Sequence, residues 1–472
     1  DYYVARDGDD LNPGTESAPW RTIQKAADTL APGDTAFVRA GKYKERVTVN
    51  VSGSATAGFV TIRNFPGEKP IVDGRGKVPP KNEDTGLFLI ADQSYVAIHG
   101  FEIRNYKAAR GSRVPAGIFV IGECDHIEIR DNEIHRIKYN SRKGNAFGIV
   151  IYGTSAAHPI TRVIIDGNEV HHCKLGNSET IALNGNVTDF EVTRNVVHDN
   201  NNLGIVFIGF EGSCPDPAQD QARNGVCREN IVSNISSFGN PAYGREYSAG
   251  GIYVDGGARI LIERNVSCRN DIGIELASEH AGRVTSGVIV RDNLIYENKI
   301  GGLFMGGYDT QRGATEDCAI TNNTFVGNDT KKFGNGEIYL QHFVTGVQVT
   351  QNIVLAGTQS LLIGNPTTTN SGNVFDYNLY FAPDGGNDSA WQWLKNNARG
   401  FTAWRAASGQ DEHSIFDDPL LVDPSGGNFH LAPNSPAIDA GDPAFVPDID
   451  ESDIDGDPRP RGPRVDLGAD EI

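Results

Sequence analysis

Two carboxylates in similar short segments have the types and spacing for acid–base chemistry. Asp255 closes the strand in "GIYVDG" and Glu275 lies within "IGIELAS", and both segments alternate as β-strands do. If the strands stack on adjacent coils, an offset of about 6.6 Å along the strand and a step of about 4.8 Å place the two backbones about 8 Å apart. Two carboxyl groups at that separation can flank a glycosidic bond and a water molecule, as in an inverting glycoside hydrolase.

Further polar and aromatic residues accompany this pair. Strand alternation points Tyr253 outward together with Asp255, and an earlier strand of the same kind points Asn184 outward. Glu279 and Glu211 lie at nearby corners and are alternatives for either carboxylate. The competing interpretation is that carboxylates are simply frequent in a chain with 61 acidic residues.

The segment "SSFGNPAYGREYSAGG" precedes the first of these strands and offers a second set of reactive groups. Arg245 could neutralise a uronate carboxylate, and Tyr243 or Tyr247 could stack on a sugar or transfer a proton. A lyase needs such groups, because it neutralises the carboxylate, removes the C5 proton and protonates the leaving oxygen. Lys174 and Lys299 are alternative bases, and a surface loop without a role is the competing interpretation.

Three histidines stand at equivalent positions: His135, His171 and His198 each follow a recurrent Asn by three residues. If the coils stack, their side chains form one outward column with His172 beside it. Stacked imidazoles can bind a metal or transfer protons. Identical residues stack in any repetitive β-structure, so a neutral column beside the groove is the alternative, with His198 as a substrate contact.

The C-terminal segment "DIDESDIDGDP" carries closely spaced aspartates around a Gly turn, which is typical of calcium ligands. The residues are Asp448, Asp450, Asp453, Asp455 and Asp457. The full EF-hand spacing is absent, and a solvated acidic loop is the alternative. We expect either Ca²⁺, in a structural or a catalytic role, or no cofactor.

The six cysteines bear on the compartment of the protein. None forms a CxxC pair, so a zinc or redox motif is unsupported. Cys214 and Cys227 flank the polar insertion "CPDPAQDQARNGVC", which predicts a disulfide and therefore export. Two free thiols are the alternative.

A recurrent Asn sets the period of the chain, with gaps of 26 to 36 residues. It occurs at Asn132, Asn168, Asn195, Asn230, Asn265, Asn293, Asn323, Asn352 and Asn378. A short alternating run precedes the Asn and more strand residues follow it. A third strand, such as "FGIVIYG" or "GGLFMGG", recurs within each period.

Three short strands per period with one polar corner predict an all-β fold, a right-handed parallel β-helix of about ten coils. A buried Asn at the corner can hydrogen-bond the coils above and below, which satisfies amide groups that are costly to bury. A propeller needs four strands per blade and a leucine-rich horseshoe needs dense Leu, so neither fits. The groove of such a fold would follow the strand that carries Asp255.

The two ends differ from the repeat. The segment "SAPWRTIQKAADTL" predicts a helix, capped by Ser17, that covers the open end of the coil stack. Residues 389–408, "SAWQWLKNNARGFTAWRAAS", also look helical. We therefore expect a β-helix domain over residues 1–413 and an acidic, Pro-rich segment over residues 414–472 that packs on it.

Composition limits the partners. The net charge of -19 disfavours nucleic acid and anionic membrane surfaces. No apolar run approaches the roughly 20 residues of a transmembrane helix. Because the chain starts at Asp1 rather than Met, we expect that a signal peptide has been removed and that the mature protein is a secreted monomer.

Residues 2–49 and the segment "GFVTIRNFPGEKPIVDG" resemble secreted bacterial β-helix proteins of the pectate-lyase-like superfamily, nearest to the family-nine pectate lyases. The segments "NFHLAPNSPAIDAGDP" and "VDLGADEI" are similar to a C-terminal segment common in such secreted proteins. The resemblance implies a β-helix, export and a polysaccharide substrate. Family-nine lyases use a Lys base beside a calcium held by clustered Asp, and the middle coils here show no Asp cluster next to a Lys.

These observations predict a secreted, carbohydrate-active enzyme, with a lyase of uronate or pectin-type polymers placed first. A glycoside hydrolase that uses Asp255 and Glu275 is the alternative, and the acidic chain favours it slightly because it repels polyuronates. A non-catalytic carbohydrate-binding protein on the same scaffold would have aromatic residues in the groove without a paired acid and base. A mannuronan epimerase shares the fold, but its "DPHE" signature is missing.

Overall fold

The computed structural model describes residues 1–109, 112–383 and 389–472. It contains two compact units, the first formed by Asp1–Gly225 with Ile235–Glu246 and the second by Val226–Asn234 with Tyr247–Ile472. In each unit the chain winds as a right-handed parallel β-helix with three parallel sheets, which confirms the predicted fold class. We call these the first sheet, the groove sheet and the third sheet.

In the first unit the groove sheet contains Val47–Val49, Phe88–Ala91, Ala116–Ile121, Phe147–Gly153, Lys174–Gly185 and Asn201–Ile208, with the short strands Lys107–Ala108 and Lys138–Tyr139 beside them. The first sheet contains Tyr2–Val4, Thr35–Val38, Val60–Asn64, Val96–His99, Asp125–Arg130, Ile160–Asp166 and Val187–Thr193. The third sheet contains Gly41–Tyr43, Pro70–Asp73, Glu102–Arg104, Glu133–His135, Glu169–His171 and Val196–His198.

In the second unit the groove sheet contains Gly250–Asp255, Ile272–Ala277, Gly301–Met305, Ile338–Leu340, Leu361–Gly364, Ala390–Trp393 and Asn396–Arg399. The first sheet contains Ala258–Glu263, Ile289–Arg291, Ala319–Thr321, Gln348–Thr350 and Val374–Asp376, with Val284–Ser286, Ala314–Glu316 and Val344–Thr345 beside them. The third sheet contains Ile231–Ser233, Val266–Cys268, Leu294–Tyr296, Thr324–Val326, Ile353–Leu355, Leu379–Phe381 and Ile415–Phe416. The strand Arg223–Arg228 begins in the first unit and ends in the second.

Strand alternation decides which side chains fill the coil interior. Ile118, Ile149, Ile181 and Ile205 are in register on successive strands of the groove sheet, and all four are fully buried. Because side chains alternate between faces, the residue after each of them points out of the coil. Burial of such aliphatic columns contributes roughly 1.5–3 kcal/mol per side chain.

The predicted Asn ladder is present in both units. In the first unit the backbone N–H and Nδ2 of Asn132 both donate to Oδ1 of Asn168 at 3.0 Å, and Asn168 donates to Asn195 in the same way. In the second unit the same pattern runs through Asn230, Asn265, Asn293, Asn323, Asn352 and Asn378. The ladder therefore satisfies a buried amide on every coil that it crosses.

A second internal ladder was not predicted. In the second unit Asn270 donates to Asn298 and Asn298 to Asn328, which in turn donates to the carboxylate of Glu337. Glu337 is fully buried, and burial raises the pKa of its carboxyl to about 8. The sequence does carry a signal, since each Asn follows a residue of the first ladder by five positions, as in Asn265 and Asn270.

The N-terminal helix is shorter than predicted. It spans Ile23–Thr29, and the hydroxyl of Thr22 accepts the N–H of Lys25 at 3.2 Å. Ser17 is therefore not the cap, because an N-cap must directly precede the first helical residue to reach its free N–H groups. The buried Ile23 and neighbouring alanines pack on the N-terminal strands.

Residues 389–408 are only half helical. Ala390–Trp393 and Asn396–Arg399 form an antiparallel hairpin, and the helix is confined to Phe401–Ser408. The first hairpin strand pairs with Leu361–Gly364 of the groove sheet. Hydrogen bonding of Ala390–Trp393 to the edge of the groove sheet outweighs the helical propensity of these residues.

The prediction of about ten coils is too low. Among the described residues the third sheet has six strands in the first unit and seven in the second. The early coils escape the count because they lack the marker residue. Phe101 stands where the next coil has Asn132, and its N–H donates to the Oδ1 of that Asn.

Residues 414–472 contact the coils of the second unit. Leu431, Ala437 and Leu467 form an apolar cluster with Ile353 and Leu379. Arg459 is fully buried and pairs with Asp292 and Glu471. Within the described residues, no helix combines the length and the apolar character needed to cross a membrane.

The predicted disulfide between Cys214 and Cys227 is wrong. All six cysteines lie in the described part of the chain, and all are buried free thiols. The Cys214 thiol donates to the carbonyl of Ser155 at 3.6 Å, whereas Cys227 accepts Nδ2 of Asn230 inside its own coil. Strand alternation turns Cys227 into the coil interior, where a partner from the loop is not available.

Candidate active site

The two predicted carboxylates lie on adjacent strands of the groove sheet in the second unit. Tyr253 is in register with Glu275, and Asp255 is in register with Ala277, as the alternation predicted. The outward row then continues from Glu275 to Phe304 and from Phe304 to Tyr339. Asp255 and Glu275 are therefore offset by two residues across one coil step.

Glu275 is the most unusual residue of this row. Its side chain is 9% exposed and forms no hydrogen bond or ion pair with any described residue. It lies over Gly250, where an added Cβ would come within 3.5 Å of its Oε2. This arrangement is unusual, because carboxyl groups with so little exposure are normally hydrogen-bonded.

The surroundings of Glu275 favour its protonated form. Burial raises the pKa of the Glu275 carboxyl to about 8, and the charges of Glu279 and Asp255 add to the increase. The pKa of the Tyr253 hydroxyl is also well above its usual range, again mainly because of burial. Near neutral pH, Glu275 can therefore act as a proton donor.

Asp255 differs from Glu275 in its hydrogen bonding. It is also buried, but its Oδ1 accepts the backbone N–H of Glu279 at 2.8 Å. A hydrogen bond from an N–H group favours the ionised form of a carboxyl. Glu279 itself is exposed at the corner after the strand. The site thus combines a protonated carboxyl with a hydrogen-bonded one, which is the division of roles that acid and base need.

An apolar floor adjoins the two carboxylates. Ile272, Ile300 and Phe304 pack together, with Tyr247 and Tyr339 against them. Lys299, an alternative base, is not a free amine, because its Nζ pairs with the fully buried Asp271 at 3.1 Å. Its Nζ also lies 5.9 Å from the ring centre of Tyr247.

The other predicted loop residues belong to the first unit. Arg245 is exposed and Tyr243 is half-buried. The guanidinium of Arg245 lies 5.8 Å from the ring centre of Phe238. Their predicted role beside Asp255 stays a prediction.

Lys174 belongs to a column of lysines in the first unit. Lys107, Lys138 and Lys174 are in register on successive coils, and Asn201 continues the column. None of the three lysines forms an ion pair with a described residue. Burial lowers the pKa of the Lys138 ammonium, and the adjacent Lys107 and Lys174 lower it further.

Asn184 lies on the same sheet as these lysines, in register between Tyr152 and Ile208. It is 5% exposed, and its Oδ1 has no hydrogen-bond partner among the described residues. Burial raises the pKa of Tyr152, and the charge of the exposed Glu211 contributes to the increase. Asn184 and Glu211 thus both lie near this tyrosine.

The histidine column is present in the first unit as predicted. The rings of His135, His171 and His198 are parallel within 5°, with centroid distances of 4.9 and 5.0 Å. Each Nε2 faces a carboxylate of the preceding coil at 3.0–3.3 Å, from Glu102, Glu133 and Glu169 in turn. The column is therefore a row of His–Glu pairs, and the ligand atoms of Glu102, Glu133 and His135 lie within 4.8 Å of one another.

The aspartates of the C-terminal segment do not converge on one point. Asp448 pairs with Arg291, Asp453 accepts backbone N–H groups, and Asp457 pairs with Arg461. Asp455 instead contacts His430 at 2.7 Å, while Asp450 is exposed. Because all five predicted ligands are used elsewhere or point to solvent, these aspartates do not form one calcium site, although the ligand atoms of Asp455, His430 and Asp470 lie within 4.8 Å of one another.

Two residues near the carboxylates were missed. The Arg312 guanidinium stacks on the ring of Tyr308 at 4.4 Å and donates to the carbonyl of Glu279 at 3.2 Å. Both residues lie in the connection Gly306–Gly313, which interrupts the repeat. No periodic signal in the sequence places such a connection, so only the "YDTQR" composition could have drawn attention to it.

Comparison with known proteins supports this description. A family described as "Pel9A-like, right handed beta helix region" matches residues 2–241. An uncharacterized protein of Bacillus subtilis, YwoF, is 40% identical, with 92% of this chain and 91% of YwoF covered. Pectate lyase PEL9 of Emericella nidulans is 28% identical over 39% of this chain and 46% of its own length.

A solved structure shares the fold. XylC in complex with xylose superposes with a TM-score of 0.51 at 12% identity, over 89% of this chain and 87% of XylC. At that identity the likeness concerns the fold alone. The family match extends over half of the chain and the YwoF match over nearly all of it. The chain therefore belongs to the Pel9A-like right-handed β-helix family.

Proposed function

We propose that the protein is a carbohydrate-active enzyme that hydrolyses glycosidic bonds, with Glu275 as general acid and Asp255 as general base. One observation carries the proposal: Glu275 is buried without a hydrogen-bond partner among the described residues, and this burial raises the pKa of its carboxyl to about 8. A structural role would supply that carboxyl with a partner, whereas a proton donor must keep it free for the substrate.

The reaction follows from the different surroundings of the two carboxyl groups. Glu275 donates its proton to the glycosidic oxygen as the bond to the sugar breaks. Asp255 accepts a proton from a water molecule that attacks the same sugar from the opposite face. Their two-residue offset across one coil separates the backbones by about 8 Å, which leaves room for that water.

The test is a panel of neutral glycans, pectin and alginate, incubated with and without EDTA. We expect new reducing ends without the ultraviolet absorbance of unsaturated sugars. Glu275→Gln and Asp255→Asn should each lower the rate by roughly 10²–10⁴-fold. Full activity of either variant would refute its assigned role, and glycan binding without any cleavage would favour the non-catalytic alternative.

A second candidate, a lyase of uronate polymers, is supported by the lysine column. A β-elimination needs an amine or another base that is neutral near working pH, and the pKa of Lys138 is lowered in that direction. Lys107 and Lys174 have no acidic partner among the described residues, so uronate carboxylates could pair with them. The relative PEL9, a pectate lyase, lends support to the same candidate.

The same panel separates the candidates. Unsaturated products from pectin or alginate that disappear in Lys138→Gln would favour the lyase. Saturated products that disappear in Glu275→Gln but persist in Lys138→Gln would favour the hydrolase. If EDTA abolishes the activity, a calcium site formed by residues other than the C-terminal aspartates has to be sought.

Export and assembly also stay proposals. We propose a secreted monomer in which residues 414–472 form a segment that packs on a β-helix domain. The contacts of Leu431, Leu467 and Arg459 with coils of the second unit support the packing. Detection of the protein in the culture medium and a molar mass near 50.9 kDa in solution would test both statements.

A further inference from the structure

A cleft opens two coils away from Glu275 on the groove sheet of the second unit. The outward row runs from Glu275 through Phe304 to Tyr339, which forms one wall of the cleft. Each step between strands is about 4.8 Å, so Tyr339 lies about 10 Å from Glu275 across the coils. The cleft has a volume of about 470 Å³, within the range of small-ligand sites.

Two aromatic side chains form the floor between Glu275 and the cleft. The rings of Phe304 and Tyr339 lie 5.0 Å apart. Each ring packs directly on a glycine. A Cβ atom added to Gly301 would lie only 2.3 Å from the Phe304 ring, and one added to Gly364 only 2.6 Å from the Tyr339 ring. The two glycines let the rings lie against the sheet, which provides an apolar platform beside the carboxylates.

Polar groups converge above this platform. Oε1 of Gln341 is buried and has no hydrogen-bond partner among the described residues, although the cleft is otherwise polar. The hydroxyls of Thr367 and Thr369 contact each other at 3.0 Å, and Thr369 contacts Nδ1 of His342 at 3.4 Å. An acceptor without a donor beside fixed hydroxyl groups suits a ligand rich in hydroxyls.

The one formal charge among the described residues that line the cleft is positive, that of Lys395. Lys395, at the turn of the hairpin Ala390–Arg399, and His342 line it, and no Asp or Glu is among its described lining residues. This is unusual in a chain of net charge -19. Tyr308, half-exposed on the near side, stacks on Arg312, whose guanidinium contacts the Glu279 carbonyl. Tyr308 and Arg312 thus connect a wall of the cleft with Glu279, whose backbone N–H donates to Asp255.

We propose that this cleft is a subsite for a pyranose sugar of the substrate, two coils from the cleaved bond, with Tyr339 as the stacking platform and Gln341 as the acceptor for a sugar hydroxyl. The proposal rests on the proposed function, since it assumes that Glu275 acts on a glycan. Lys395 would raise the affinity for a sugar that carries a carboxylate and would not change the affinity for a neutral sugar.

The test measures binding separately from cleavage. Calorimetry of the Glu275→Gln protein with neutral xylo- and gluco-oligosaccharides and with oligogalacturonides gives the affinity without turnover. We expect Tyr339→Ala to weaken binding at least tenfold and Gln341→Ala severalfold, while Tyr377→Ala, which removes an aromatic ring beside the first sheet, has no effect. Lys395→Met should weaken only the acidic set if the sugar is a uronate, and neither set if it is neutral.

With Glu275 intact, Tyr339→Ala should raise KM with little change in kcat, because it removes binding rather than proton transfer. Binding of the Tyr339→Ala and Gln341→Ala proteins within twofold of the parent, or no binding of either oligosaccharide set, would overturn the subsite. If Glu275→Gln keeps full activity while Tyr339→Ala loses binding, the assigned acid is wrong and the subsite stands.

Discussion

At the scale of single residues, the environment of Glu275 is what distinguishes this chain from a plain scaffold. The positions and the register of Asp255 and Glu275 followed from strand alternation and could be predicted. That Glu275 lacks a hydrogen-bond partner among the described residues could not be predicted. This property depends on the conformation of the surrounding loops and not on the repeat. For the same reason Tyr308 and Lys395 were missed: both lie in connections that carry no period.

The pH dependence of activity should report the charges around Glu275. A general acid works only while protonated, so kcat should fall as the pH rises through the pKa of Glu275, about 8. The Glu279 charge raises this pKa, so Glu279→Gln should move the alkaline limb to lower pH. The measurement is the pH profile of kcat, with Glu297→Gln as an exposed control. A limb that stays in place or moves up in Glu279→Gln would contradict the assignment.

At the scale of elements, ladders of identical side chains hold the coils together. The first Asn ladder was predictable, since an Asn that recurs at a fixed period among apolar strands indicates a buried amide with a partner on each neighbouring coil. The second ladder and the His–Glu pairs became clear only from the structure, because a sequence repeat does not show which residue of the next coil a side chain contacts. The hairpin over residues 390–399 shows the same limit, since its partner strand lies about 30 residues earlier.

Removal of one ladder residue should be costly. In Asn293→Ala the N–H and Nδ2 of Asn265 lose their acceptor and the carbonyl of Ile262 loses a donor. Each unsatisfied buried group costs about 1–3 kcal/mol, so we expect a loss of several kcal/mol in the free energy of unfolding. Urea denaturation measures it, with the exposed Asn396→Ala as control. A loss below about 1 kcal/mol would mean that water replaces the ladder.

The pair of His198 with Glu169 should make stability depend on pH. Burial lowers the pKa of His198, but its hydrogen bonds with Asp199 and Glu169 outweigh this effect and raise it overall. A raised pKa means that the charged form stabilises the fold below the unfolded pKa of about 6.5 and that this contribution is lost at higher pH. His198→Gln should therefore lower Tm more at acidic than at alkaline pH. The exposed His158→Gln should show no such difference, and equal losses at both pH values in His198→Gln would contradict the prediction.

At the scale of the whole molecule, charge is unevenly distributed. The chain is strongly acidic, yet the lysine column of the first unit has no acidic partner among the described residues, and the C-terminal aspartates are largely used in ion pairs and backbone contacts. Composition gives the net charge but not which charged groups are paired. Residues that are distant in sequence decide whether a carboxylate has a partner. The calcium and disulfide predictions were limited for the same reason, because both depend on contacts between residues that are distant in sequence.

The buried ion pairs of the C-terminal segment should matter for global stability. The Arg459 side chain is fully buried between Asp292 and Glu471. Arg459→Met leaves the buried Glu471 without its cation and Asp292 with only Arg291 at 3.8 Å, so we expect a loss of about 3–5 kcal/mol in the free energy of unfolding. The exposed pair of Arg461 and Asp457 offers the matched control, Arg461→Met, with a loss of at most about 1 kcal/mol. Similar losses in both variants would contradict this interpretation.

The uniform chemistry of the Asn ladder has a consequence for the length of the chain. In the second unit the inner ladder residues each accept from the one before and donate to the one after through the same atoms; they are Asn265, Asn293, Asn323 and Asn352. Any two of these residues can therefore form the same hydrogen bonds with each other. If a complete coil were excised or duplicated, the coils brought together would still pair through the ladder. The coil is in this sense a unit of insertion and deletion, and the reach of the groove can change by whole coils while the chemistry at Glu275 stays the same.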